Sequence, residues 1–205
     1  MPSIESTRRL TRPFLMVGLA ATLGACAADR LTSAEPTLSR SSRSSADGGV
    51  ESSTSGSGTA SVLKRAGAAV VESDTATIGS NGGVLELKSA GLKIVVPMGA
   101  VSSPTKFSVR TVAGGLVAYD FQPHGVRFAA PLKFEQDLSK TEAGKADLRT
   151  MRLEGAYFAD ARQLDARLGT ALVDQFLPID LDVNRHKVSM KLWHFSGYMM
   201  STGRK

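Results

Sequence analysis

A short motif near the end of the sequence combines a nucleophile with a base. His194, Phe195 and Ser196 place an imidazole two residues before a serine hydroxyl, and a base beside a hydroxyl is the arrangement that activates serine for attack on a carbonyl. The same residues also have a structural interpretation. In a strand predicted over residues 187–192, every second side chain faces inward, and His194 is the next residue in that series. The residue pattern alone leaves both interpretations open.

The sequence lacks the other common signatures of catalytic and metal sites. His124, His186 and His194 have no metal-ligand spacing, and the chain contains neither a glycine-rich phosphate loop nor a GxSxG turn. His124, in a Pro-His-Gly turn, is expected to hold its loop by bonding neighbouring carbonyl groups, and His186 is expected to be a solvated turn residue. The only cysteine is Cys26, which excludes an internal disulfide, a zinc cluster and a CxxC redox pair. We therefore expect no metal, no cofactor and no enzymatic turnover.

The charge balance excludes a nucleic-acid-binding protein. The chain has 25 Lys and Arg against 19 Asp and Glu, a net charge of +6. Three of these bases and one of the acids lie within residues 1–25, so the remainder carries a net charge of only +4. That charge is spread along the chain and does not form the basic cluster that nucleic acids require.

The first 25 residues have the features of a secretory signal peptide. Three arginines at positions 8, 9 and 12 precede an apolar run over residues 14–25. At about 1.5 Å per residue, a helix of this run is too short to cross about 30 Å of hydrocarbon. Its length and basic flank are typical of a signal sequence. The pattern predicts that residues 1–25 are removed from the mature chain.

The signal peptide ends in Leu23-Gly24-Ala25-Cys26, which resembles the lipobox of bacterial lipoproteins. The resemblance implies that diacylglycerol alkylates the Cys26 thiol, that cleavage occurs before Cys26, and that the new amino group is acylated. Two or three acyl chains anchor a protein stably where one does not, at about 0.8 kcal/mol per buried methylene. The resemblance therefore predicts a membrane-anchored lipoprotein of the bacterial cell envelope, on its periplasmic or extracellular face. An ordinary signal peptide with an incidental Cys26 is the alternative.

A low-complexity segment follows the predicted anchor. Residues 39–61 contain ten Ser, two Thr and four Gly, too little apolar surface to offset the entropy of ordering. The composition predicts a flexible tether over residues 26–71, with the lipidated cysteine at its start and a folded domain over residues 72–205.

The folded part has the pattern of an all-β protein. Short strands separated by turn residues are typical of an antiparallel β-sandwich. A Leu or Phe at every fourth position over residues 164–176 predicts at most a short helix before a strand. Seven segments have strand-like apolar patterns: 84–87, 92–96, 106–110, 116–121, 132–135, 150–158 and 187–192.

Three segments, in this order, resemble the ZU5 domain. The first is the opening segment, in which GGVLEL at residues 82–87 is followed by GLKIVVP at 91–97. The second is QPHGVRF at 122–128, and the third is HFSGY at 194–198. The resemblance implies a β-sandwich that serves as a protein-interaction or spacer module, as in ankyrins and netrin receptors.

The same resemblance gives the motif at residues 194–196 a specific chemistry. Some eukaryotic ZU5-type domains, in death-domain and inflammasome proteins, cut their own chain between Phe and Ser of a His-Phe-Ser motif. By that resemblance Ser196 Oγ would attack the Phe195 carbonyl, His194 would accept the proton, and water would hydrolyse the resulting ester. Cleavage would release only residues 196–205, with no downstream domain to liberate, so we expect the bond to remain intact.

These observations predict a non-catalytic envelope lipoprotein that presents a β-sandwich to an unknown envelope partner. The alternative is a binder of glycan or of an anionic envelope polymer. Trp193 and Tyr198 would then stack sugars, and Lys187 and Lys191 would contact anions. For the two aromatic residues, core packing is the competing expectation.

Overall fold

The computed structural model describes residues 56–205, which form two antiparallel β-sheets packed face to face. Residues 1–55 lie outside this part of the chain, so the predicted signal peptide, Cys26 and most of the predicted tether are not among the described residues. The strands are β1 Gly58–Val62, β2 Ser73–Ile78, β3 Gly83–Leu87, β4 Leu92–Val96, β5 Thr105–Thr111, β6 Ala118–Gln122, β7 Arg127–Asp137, β8 Glu154–Phe158, β9 Leu164–Asp165, β10 Thr170–Val173, β11 Gln175–Leu177, β12 Asp180–Asp182, β13 Lys187–His194 and β14 Gly197–Arg204.

The smaller sheet has the strand order β12-β13-β7-β4-β3, and the larger follows the path β2-β5-β6-β14-β1-β10-β9. Two further strands extend the larger sheet, since β8 pairs with β14 and β11 pairs with β8. The antiparallel β-sandwich expected from the sequence is therefore confirmed.

Alternating burial explains why these segments form strands. In β13, Val188, Met190 and Leu192 are buried, while the residues between them are exposed or half-buried. This period of two turns one face of a strand toward the facing sheet and the other toward solvent. Apolar side chains from both sheets meet in one core, which contains the rings of Phe107, Tyr119, Phe121, Phe128, Phe134, Phe195 and Tyr198.

A second, smaller core lies on the larger sheet alone. It includes Ala60, Phe158, Phe176 and Met199, which come from four different strands. The sheet curls so that β10 approaches β8. The Asp174 amide follows β10 directly and donates to the Tyr157 carbonyl in β8 at 2.9 Å. Strands β14, β1, β10 and β8 therefore surround this second core.

The predicted tether extends too far into the fold. Strand β1 pairs with β10 on one side and with β14 on the other, so its backbone groups have partners despite the Ser- and Gly-rich sequence. Its Ala60 and Val62 are buried, as is Arg65 after it. Arg65 donates to the Ala90 carbonyl at 2.8 Å and to the Tyr119 hydroxyl at 3.1 Å. The sandwich thus begins at Gly58, and the predicted boundary after residue 71 is wrong.

Each of the seven predicted strands overlaps an observed strand, although the one predicted over residues 150–158 begins only at Glu154. The helix suggested by residues 164–176 is not present. This stretch forms β9, β10 and part of β11, preceded by a short 3₁₀ helix at Ala161–Gln163. Gly169 adopts a φ of 65° and turns the chain between β9 and β10, which a helix cannot accommodate. Leu168 and Leu172 are exposed while Phe176 is buried, so the four-residue spacing does not define one apolar face.

Within residues 56–205, no helix has the length and apolar character needed to cross a bilayer.

Candidate functional site

The His-Phe-Ser motif lies where the last two long strands meet. β13 ends at His194 and β14 begins at Gly197, so Phe195 and Ser196 form the connection. The Phe195 ring is fully buried, with its centroid 5.0 to 5.1 Å from the ring centroids of Phe107, Phe121 and Phe128. The position of the candidate scissile bond is therefore set by aromatic packing in the main core.

Backbone hydrogen bonds hold this connection on both sides of the bond. The Phe195 amide donates to the Val126 carbonyl at 2.9 Å, and the Phe195 carbonyl accepts from the Gly125 amide at 2.9 Å. The Ser196 carbonyl accepts from the Phe121 amide at 3.0 Å. A donor thus reaches the carbonyl oxygen that an acyl shift would charge, as an oxyanion site requires.

The nucleophile and the base, however, face different partners. Ser196 Oγ is buried and donates to the Phe158 carbonyl at 3.5 Å. The ring of His194 has its Nδ1 3.1 Å from the Tyr198 hydroxyl, which in turn donates to the His194 carbonyl at 2.8 Å. Activation of a serine needs a direct hydrogen bond from its hydroxyl to the base. This geometry favours the structural interpretation of the motif.

The surroundings of His194 favour the neutral form of its ring. The ring packs edge-to-face on Tyr157, with centroids 4.9 Å apart. Burial, and then the positive charge of Arg127, lower the pKa of His194 below its ordinary value of 6.5. A shallow cavity of about 170 Å³, lined by Gly125, Arg127, Tyr157, His194, Phe195 and Ser196, opens to solvent beside the ring.

The lowered pKa of His194 predicts acid sensitivity of the fold. As the pH falls below 6.5, the unfolded chain binds a proton at His194 more readily than the native state does, so the free energy of unfolding decreases. The decrease ends once the pH is below the native pKa of His194. Above pH 6.5 the ring is neutral in most unfolded chains as well, so its titration no longer lowers the free energy of unfolding. Urea unfolding at a series of pH values from 7.5 to about 5 would measure this slope.

His194→Gln removes the titration and is expected to flatten the slope, whatever its effect on stability at pH 7.5. His186→Asn is the matched control, because His186 lies in a turn with a φ of 50° that asparagine tolerates. A slope that is unchanged in His194→Gln would show that this ring does not carry the effect.

The loop that supplies the Gly125 amide is fixed by a buried acid. Asp120 is only 4% exposed. Its Oδ2 accepts from Arg110 Nε at 2.9 Å, and its Oδ1 accepts from His124 Nε2 at 2.6 Å. Burial raises the pKa of Asp120, but hydrogen bonds from His124, Arg110 and Gln122 outweigh it and leave that pKa below its ordinary value. His124 therefore holds the loop through a carboxylate rather than through the neighbouring carbonyl groups that we expected.

The four predicted binding residues do not form one surface. Lys187, Lys191 and Trp193 point outward from β13 on the smaller sheet, and Trp193 is 54% exposed. Tyr198 is only 1% exposed and lies in the main core, so it cannot contact a ligand together with Trp193. Core packing, the competing expectation for both aromatic residues, is correct for Tyr198 and wrong for Trp193.

The outer face of the smaller sheet carries alternating charges. Lys187 lies opposite Asp137 in the neighbouring strand, and Lys191 lies opposite Lys133. Lys133 Nζ is in turn 2.7 Å from Glu135 Oε1. Carboxylates thus lie among the lysines of this face, so it does not present the concentrated basic charge that an anionic polymer would need.

Sequence reasoning missed the cluster around Asp120, although the sequence contains a signal for it. Asp120 interrupts the apolar segment predicted over residues 116–121, and an acid in such a segment requires buried partners. The partners Arg110 and His124 come from the preceding strand and the following loop, which no spacing rule connects. In the part of the chain that the structure describes, no group of three or more His, Cys, Asp or Glu side chains is suited to a metal ion.

The comparison with protein families matches the ZU5 domain to residues 74–115. This segment covers β2 to β5 and the turn before β6, and it contains the first of the three resembling segments. No curated protein matches the chain. The family match and the two-sheet antiparallel architecture together support a ZU5-like β-sandwich in this chain.

Proposed function

We propose that the protein is a non-catalytic lipoprotein of the bacterial cell envelope. In this proposal Cys26 carries the lipid, the Ser- and Gly-rich segment after it is the spacer, and the ZU5-like sandwich is presented to another envelope component. The observation that carries the interaction role is the ZU5-like sandwich itself. The anchor is supported by the sequence Leu23-Gly24-Ala25-Cys26 behind a signal-like run.

The start of β1 gives the spacer a length. Thirty-one residues separate Cys26 from Gly58, the first residue of the sandwich. A flexible chain of this length has a root-mean-square span of about 30 Å, from about 5–6 Å times the square root of the residue number. The proposed spacer would hold the sandwich beyond the lipid headgroups and leave its surface accessible.

The absence of turnover is part of the proposal and is supported by the motif at residues 194–196. Ser196 Oγ faces the Phe158 carbonyl and the His194 ring faces the Tyr198 hydroxyl. Each of the three motif residues has a packing or hydrogen-bonding role that does not need cleavage. We therefore assign His194, Phe195 and Ser196 to the structure of the strand connection.

Metabolic labelling tests the proposed anchor. Bacteria expressing the full chain would be grown with an alkyne-tagged fatty acid, and the protein would be examined for label and for its distribution between membrane and soluble fractions. We expect Cys26→Ser to lose the label and to leave the membrane fraction. Ser39→Ala, in the same proposed spacer, is the control and should behave as the wild type. Label retained by Cys26→Ser would contradict the lipoprotein proposal.

A further inference from the structure

A groove beside Trp193 lies at the edge of the smaller sheet, and the proposed function has not yet used it. β12 begins at Asp180, and the chain before it crosses at Pro178 to β11 in the larger sheet. This crossing leaves a groove of about 330 Å³ along β13. Leu177, Ile179 and Met190 contribute apolar surface to the groove, and Trp193 borders it.

The indole of Trp193 faces the solvent instead of the core. Its side chain alternates with the buried Leu192 on β13 and is the largest exposed aromatic group among the described residues. Exposed tryptophan is enriched at recognition sites because its flat apolar face comes with a polar N–H. The register of β13 therefore positions a stacking surface at the edge of the groove.

Three polar side chains line the same groove, namely Gln175, Asp180 and Lys191. Among the described residues, none of the three takes part in a side-chain hydrogen bond or an ion pair. The groove thus combines an apolar floor with one carboxylate, one ammonium and one carboxamide, and its net charge is zero.

This combination discriminates between classes of ligand. A lipid chain or an apolar helix would desolvate three polar groups without giving them partners, which is unfavourable. A polyanion would gain from Lys191 and lose against Asp180. The hydroxyl and amide groups of a sugar can donate to the carboxylate and accept from the ammonium and the carboxamide, while its C–H face lies against the indole.

We propose that the groove beside Trp193 binds an uncharged, N-acetylated glycan strand. The inference rests on the proposed function of the sandwich as an interaction module and names the chemistry of its partner. The acetamido group supplies a donor, an acceptor and a methyl group, and the groove offers all three complements. At about 330 Å³, the groove is at the lower end of the about 300–1,000 Å³ of small-molecule pockets, so it accommodates only a short part of a glycan strand.

Intrinsic fluorescence reads the site directly, because Trp193 is the only tryptophan of the chain. The purified full chain would be titrated with the hexamer of N-acetylglucosamine, with cellohexaose as the matched sugar without acetamido groups and with polygalacturonate as the polyanion. We expect saturable quenching or a blue shift with the acetylated hexamer, and binding at least about tenfold weaker for the other two.

Variants are compared by calorimetry with the same hexamer. Trp193→Ala is expected to weaken binding by about tenfold or more, Asp180→Asn is expected to weaken it less, and Leu172→Ala, an exposed side chain of the larger sheet, is expected to leave it unchanged. Wild-type circular dichroism of the Trp193→Ala variant would establish that it folds.

Absence of binding by the wild type, equal binding of cellohexaose, preference for polygalacturonate, or binding unaffected by Trp193→Ala would each overturn the proposal. None of these results bears on fatty-acid labelling at Cys26, so failure of the glycan inference is distinguishable from failure of the lipoprotein proposal.

Discussion

Replacing Phe195 by alanine is expected to lower the free energy of unfolding by about 3–5 kcal/mol. The ring is fully buried and contacts the rings of Phe107, Phe121 and Phe128, so its removal leaves a cavity that the surrounding aromatic side chains cannot fill without moving. Proteins of this kind are stable by about 5–15 kcal/mol, which makes this loss a large fraction of the total. Urea unfolding followed by far-ultraviolet circular dichroism measures it.

Two further variants test the reason for this loss. Phe195→Leu keeps most of the buried volume and should cost much less than Phe195→Ala, whereas Leu172→Ala, exposed on the larger sheet, should change stability by less than about 0.5 kcal/mol. If Phe195→Ala were as stable as Leu172→Ala, the aromatic packing would not determine the position of residues 194–196.

Replacing Gly197 by alanine is expected to destabilise the protein by about 3 kcal/mol, near the upper end of the usual cost of overpacking. Gly197 is directly opposite Phe158 in the pairing of β14 with β8, and a Cβ at this position would lie 2.2 Å from a carbon of the Phe158 ring. That ring is buried in the second core and has little room to move. The glycine after the His-Phe-Ser motif therefore permits close packing across the sheet, and its presence does not require a catalytic explanation.

Gly115→Ala is the matched control for this substitution. A Cβ on Gly115 has no atom within 4 Å, so this variant should be neutral or slightly stabilising through the unfolded state. Thermal unfolding of both variants would show a large drop in Tm only for Gly197→Ala. Equal Tm values for the two variants would contradict the packing role of Gly197.

The sequence predicts the strands well wherever one face of a strand is buried. The sequence predicts a strand over residues 92–96, and β4 has the same two ends, because a branched apolar run that ends at Pro97 has few alternative conformations. The sequence does not predict β1, because it lacks such an apolar run. Its sequence Gly-Thr-Ala-Ser-Val resembles the low-complexity segment before it, and only pairing with β10 and β14, which are distant in sequence, orders it.

The same difference applies to the candidate sites. Features that depend on alternation within one strand can be predicted from the sequence, and features that depend on contacts between distant residues cannot. The alternation that correctly places Val188, Met190 and Leu192 inside also places Trp193 outside, so the exposure of Trp193 was predictable from the same rule. The groove beside it was not, since it depends on the crossing of the chain at Pro178 between two sheets. The orientation of Ser196 Oγ depends likewise on the position of Phe158, 38 residues earlier.

Intact-mass spectrometry of the protein extracted from the bacterial membrane tests the central claim most directly. We predict a single species that begins at Cys26, contains the uncut bond between Phe195 and Ser196, and carries the added mass of one diacylglycerol and one amide-linked acyl chain. A species without lipid mass, or one that retains residues 1–25, would contradict the lipoprotein proposal. A chain that ends at Phe195 would contradict the assignment of His194, Phe195 and Ser196 to a structural role.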